Sequence, residues 1–161
     1  MDKNICRESA KRLYGEALAL YNKPFRDEND NFRLIHSAHA SACFWALCGT
    51  PLHIARGERF ISRVYTRLSM PEAALIHAKR SITICEENGL RNAETALSYD
   101  VLARAALESP NYADYVEYKK CALDLAGQIE DSNERAACTE QINASDAPGE
   151  QGLRPSFFAM S

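Results

Sequence analysis

The tripeptide Leu34-Ile35-His36 returns as Leu75-Ile76-His77, 41 residues further on, and the same step lands next on Val116-Glu117-Tyr118. The step holds at neighbouring positions, where Ala40, Ser81 and Ala122 are small and Cys43, Ile84 and Leu125 are apolar. It also holds in the stretches between, because Phe60, Ile61, Ser62 and Arg63 step to Val101, Leu102, Ala103 and Arg104. Self-similarity at one period in two interleaved sets of segments restricts the chain to stacked units, each burying its apolar face against the next. The alignment predicts that Ala40, Ser81 and Ala122 occupy the closest approach of two helices within a unit.

Apolar residues recur at spacings of three and four along most of the chain, and alternating runs of Val, Ile and Thr are missing, so the units are helical and the fold class is all-α. Local punctuation divides the pattern. Asp2 can cap a first helix that runs to about Tyr21, and Asn22 with Pro24 ends it before the polar stretch 23–31. Asp30 or Asn31 starts a second helix ending at Gly49. Thr50-Pro51 is an N-cap followed by proline at the first helical position, where the missing N–H costs nothing. That third helix runs to about Leu68. Ser69 with Glu72 reads as a capping box for a fourth, which ends at Asn88-Gly89. Asn92 is expected to cap the fifth, Ser109-Pro110 the sixth, and Asp131 with Glu134 a short seventh that reaches Ala144. The reading is a single domain over 1–144 and a tail over 145–161.

With 161 residues, 19 basic against 22 acidic and a net charge of −3, the chain has no global positive field to favour nucleic acid or an anionic membrane. No run approaches the ~18 apolar residues of a membrane span, and charges interrupt the first twenty residues, so the expectation is a cytoplasmic protein. The six cysteines contain no CxxC pair and fall within helical periodicity, which suggests reduced packing thiols. No phosphate-binding loop, dinucleotide fingerprint or nucleophile elbow occurs, and the chain is read as noncatalytic and without a cofactor. His36, His39 and Cys43 share a helical face, but nothing nearby completes the four ligands of structural zinc. Cys48 and His53 are close along the chain without an orienting acid, and Phe44-Trp45 suits packing better than base stacking.

The pattern Ile61-Ser62, Tyr65, Leu68, Ala74-Leu75, Ala78, Ser81-Ile82 resembles a tetratricopeptide repeat, and the next unit keeps Leu102-Ala103 and Ala122-Leu123. It departs at Ala106 and Tyr115, which stand where Tyr65 and Ala74 stood, and in exceeding the usual 34-residue period. The strings GTPLHIARGERFISRVY and ICEENGL are also similar to a group of uncharacterised bacterial helical-repeat proteins. The resemblance, covering roughly 32–130, implies a right-handed superhelix of about three antiparallel helical hairpins with a capping helix. A longer-helix variant and a HEAT-like hairpin both remain open.

Arg56, Arg59, Arg63 and Arg67 are spaced by 3, 4 and 4, which puts four like charges on one helical face where they repel one another. The resemblance places Arg59 and Arg63 on the concave, ligand-reading side, makes Arg104 the repeat equivalent of Arg63, and implies a groove for an acidic peptide or a free C-terminal carboxylate. Arginine suits that task because its planar fork grips a carboxylate with two bonds. Tyr65 would shape the groove wall, and Lys119 would lie on the outer side of the sixth helix. The competing expectation is that these arginines pair with glutamates of a neighbouring helix. Two other functions stay in view: a small-molecule sensor or minor enzyme with a sealed pocket near Trp45, His53 and Tyr65, and a structural homodimer. Phe157, Phe158 and Met160 give the tail apolar surface, so it is expected to dock on the helical stack or on a second copy.

Overall fold

The computed structural model describes residues 2–107 and 112–144, and among them the chain forms seven α-helices and no strand. They are α1 (Lys3–Asn22), α2 (Glu28–Cys48), α3 (Pro51–Arg67), α4 (Pro71–Glu87), α5 (Asn92–Leu107), α6 (Tyr112–Gly127) and α7 (Ser132–Ala144). The expected Ser109-Pro110 cap and the docking of the 145–161 tail lie outside the described residues. No helix of the described residues is long and apolar enough to cross a membrane.

Several caps follow the sequence. The Asp2 carboxylate accepts the Asn4 amide at 2.7 Å, Pro51 opens α3, and Asp131 accepts the Glu134 amide at 2.7 Å. Three differ. α2 begins at Glu28, ahead of the expected Asp30 or Asn31, because Asp27 accepts the Asp30 amide at 2.7 Å while Asp30 answers the Asp27 amide and pairs with Lys23. Ser69 does not cap α4. It takes the left-handed conformation, φ 55°, that ends α3: its amide reaches Thr66 O at 3.0 Å and the Met70 amide reaches Tyr65 O at 2.9 Å. Gly89, φ 56°, does the same after α4, with the Leu90 amide on Cys85 O. Asn92 is already the first residue of α5, and the preceding Arg91 carbonyl accepts the Glu94 amide at 2.9 Å.

The most extensive packing joins α1 to α2, α3 to α4 and α5 to α6. Successive pairs meet through α2 with α3 and α4 with α5, α3 also reaches α5, and α7 covers the end of α5 and α6. Small buried residues permit this closeness. Ser41 Oγ donates to Ala10 O at 2.8 Å, and Ser81 Oγ donates to Ala55 O at 2.9 Å, so these two serines make the same contact in successive pairs. That equivalence corrects the repeat register. Ser41, not Ala40, matches Ser81, a step of 40 residues between α2 and α4. The repeated Leu-Ile-His is therefore out of phase: Leu34 is fully buried where Ala74 is, while Ile76 is 65% exposed. Helix lengths and connections differ between units, with Gly49-Thr50 between α2 and α3 against the longer 88–91 between α4 and α5, so a fixed count along the chain does not keep a fixed helical phase. From the second unit to the third the step is 41, with Ser81 and Ala122 both fully buried, as are Ser62 and Ala103.

The core is divided into clusters along the stack. Phe60, Ile61 and Val64 of α3 meet Ala17, Leu20 and Tyr21 of α1 and Leu34 of α2, while Val101 and Leu102 of α5 meet Ala78 and Ile82 of α4. All six cysteines are free thiols, as their spacing suggests.

Candidate ligand-binding cleft

The arginine face of α3 is divided between two environments. Arg56 holds the Glu94 carboxylate through Nε at 3.1 Å and through Nη2, and Arg59 Nη1 reaches the other carboxylate oxygen at 3.0 Å and Glu94 O at 3.2 Å. Glu94 is 5% exposed in the first turn of α5, so one buried carboxylate clamps α5 to two arginines of α3. Burial pushes its carboxyl up, but the hydrogen bonds and charges of Arg56 and Arg59 outweigh that and hold it below the usual range. The same hydrogen bond raises the Arg56 guanidinium above its ordinary value. For these two arginines the expectation of pairing with a neighbouring glutamate is met.

Arg63 and Arg67 are placed differently. Their guanidinium carbons lie over the Tyr21 ring at 5.2 and 5.0 Å from its centroid, a cation–π arrangement contributed by α1. The Arg63 Nε is buried and has no hydrogen-bond partner among the described residues.

Arg104 lies apart from this group. Its Nε and Nη2 reach Asp100 Oδ2 at 3.0 and 2.8 Å within α5, and Asp100 is also 3.8 Å from Lys119 Nζ. Lys119 is not on an outer side: it is 9% exposed and donates to Ile142 O at 2.6 Å, which ties α6 to α7. A buried Asp100 at the position equivalent to Arg59 explains why the amphipathic pattern misplaced the lysine. Tyr65 faces away from the arginines, hydrogen-bonded to His39 Nε2 at 2.9 Å and stacked on His77.

Arg56, Arg59 and Arg63 do share a cleft of about 290 Å³ that opens between α1, α2 and α3. Tyr14, Trp45, His53 and Phe60 complete its wall, and Tyr65, Arg67 and Arg104 do not line it. Trp45 and His53 stack with centroids 4.2 Å apart, and Tyr14 meets Phe60 edge-on at 5.0 Å. His53 Nδ1 is 2.8 Å from the Thr50 hydroxyl and Cys48 Sγ donates to Phe44 O at 3.2 Å, so the two do not form a dyad. No group of three His, Cys, Asp or Glu among the described residues could hold a metal ion. Cation and aromatic surface together can grip an anion carried on an apolar stem.

Sequence reasoning missed Glu94, Tyr21 and Tyr14. Glu94 lies 35 residues from Arg59, beyond any helical spacing, and the tyrosines belong to a helix that the repeat register did not reach. No family model, curated protein or solved structure matches the chain.

Proposed function

We propose that the chain is a noncatalytic interaction module of tetratricopeptide-like helical hairpins that takes an acidic peptide segment or a C-terminal carboxylate in the cleft of α1, α2 and α3. The reading rests on one observation above all: three arginines, Arg56, Arg59 and Arg63, line one open cleft of about 290 Å³. Glu94 supplies one negative charge against three lining arginines, so the cleft keeps positive charge, and its carboxylate pre-organises two of them. The repeated serine contact and the pairing of α1–α2, α3–α4 and α5–α6 support the hairpin architecture. A cleft open to solvent suits a peptide better than the sealed pocket of a small-molecule sensor.

Arg63 is the principal donor in this reading, while Arg67 and Arg104 supply field from outside the cleft. Titration calorimetry with a library of short acidic peptides, free and amidated at the C-terminus, tests it. Arg63→Glu should weaken the best binder by about tenfold to a hundredfold, the worth of one charge-assisted bond, and added salt should weaken it further. Lys120→Glu, on the exposed side of α6, should change nothing. Equal losses in both variants would mean a diffuse field instead of a cleft, and no binding by any peptide would reject the reading.

A further inference from the structure

On the side of α3 remote from the cleft, two imidazoles meet at the junction of the first two helix pairs. The His39 and His77 rings, from α2 and α4, are 5.1 Å apart and edge-to-face at 74°. Tyr65 of α3 joins them, hydrogen-bonded to His39 Nε2 at 2.9 Å and stacked on His77 at 5.6 Å and 20°. Glu58, also of α3, places Oε2 2.6 Å from His77 Nδ1 and Oε1 3.3 Å from Arg80 Nε. The ionisable and charged groups around His39 are therefore His36 on its own helix, Glu58 and Tyr65 on α3, and His77 and Arg80 on α4.

We infer that the His39–His77 pair is an acid-sensitive latch between the first and second helix pairs, closed while His39 is neutral and opened when both imidazoles carry protons. The charge inventory drives it. Glu58 is the only carboxylate among those groups and already serves His77 and Arg80. One more proton at His39 leaves like charges in contact across a half-buried joint, where water screens them poorly. Burial first, then the neighbouring His77 charge, holds the His39 imidazole below the usual range, with His36 adding to the effect and Glu58 opposing it. The folded chain thus binds fewer protons at His39 than the unfolded chain does below ~6.5, the unperturbed histidine value. Stability at this joint is present at neutral pH and is lost as pH falls through that value toward the depressed folded one. The latch does not depend on what the cleft binds.

Three measurements on the full chain test it. In NMR titration of the unmodified protein, His39 should titrate below ~6.5, and a value at or above that overturns the inference without any mutant. Amide exchange, corrected for intrinsic rates, should show protection lost in α2 and α4 before α6 and α7 on going from about pH 7.5 to 5.5. Uniform loss along the chain, or none, overturns it. Over the same range the melting temperature should fall in the wild type, and His39→Gln should remove most of that fall. A His39→Gln protein that keeps the wild-type fall also overturns it.

Discussion

Glu94→Ala should lower stability by about 2 to 3 kcal/mol and the melting temperature by roughly 5 to 10 °C, although Glu94 touches no large part of the hydrophobic core. The substitution strands two arginines that one buried carboxylate now serves. The loss stays below that of a fully buried ion pair because the Arg56 side chain is 50% exposed and can turn to water, whereas Arg59, at 16%, cannot do so freely. Urea denaturation of a double-mutant cycle checks the assignment. Adding Arg59→Met to Glu94→Ala should restore part of the loss, since it removes the stranded charge. Strict additivity of the two would show that the pair is not coupled. The pH dependence has a definite sign. Glu94 has a lowered folded value, so its contribution is complete above the unfolded carboxyl value of ~4.3 and disappears as pH falls through the folded one. The stability gap between wild type and Glu94→Ala should accordingly close in acid.

Ser81→Leu should cost about 3 kcal/mol, combining overpacking of ~1 to 3 kcal/mol with loss of a buried hydroxyl that bonds Ala55 O at 2.9 Å and meets Ser98 Oγ at 2.8 Å. Ser81 is fully buried where α3 and α4 touch, leaving no room for the two extra heavy atoms of a leucine side chain. Ser41→Leu should be of similar severity because Ser41 makes the equivalent contact with Ala10. Ala40→Leu should be much milder, since Ala40 is only partly buried. Thermal unfolding of the three proteins decides between the registers. A uniform 41-residue step requires Ala40→Leu to match Ser81→Leu, whereas the observed packing requires Ser41→Leu to do so.

The failure of the uniform step is instructive. Helical identity, the number of helices and most boundaries rest on local chemistry: a proline at the first turn of α3, a glycine with positive φ after α4, an aspartate before α7. These were legible because the relevant partners lie within four or five residues. Ser69 was misread for a related reason. It satisfies the composition of an N-cap, but the carbonyls left over at the end of α3 claim its backbone first. Letter-for-letter similarity of Leu34-Ile35-His36 and Leu75-Ile76-His77 carried no information about which of those residues face the neighbouring helix. Helices and connections of unequal length set one unit's register against the next.

The candidate site divides along the same line. From the sequence by itself it followed that the described chain is all helical, that it is built from related pairs, and that α3 bears an arginine face whose repulsion demands a compensating charge. Only the tertiary structure decided which charges those are. Glu94 lies 35 residues beyond Arg59, and Tyr21 lies 42 before Arg63, so neither shares a helix with the arginine it restrains. Helical periodicity is a short-range rule enforced by backbone hydrogen bonds and burial, and it specifies a face without specifying what covers it. The partner of a buried charge is chosen by how the helices pack, because desolvation makes an unpaired ion costly at that one place in the fold. The same packing turned Tyr65 toward His39 and His77, away from the cleft, and buried Lys119 against α7.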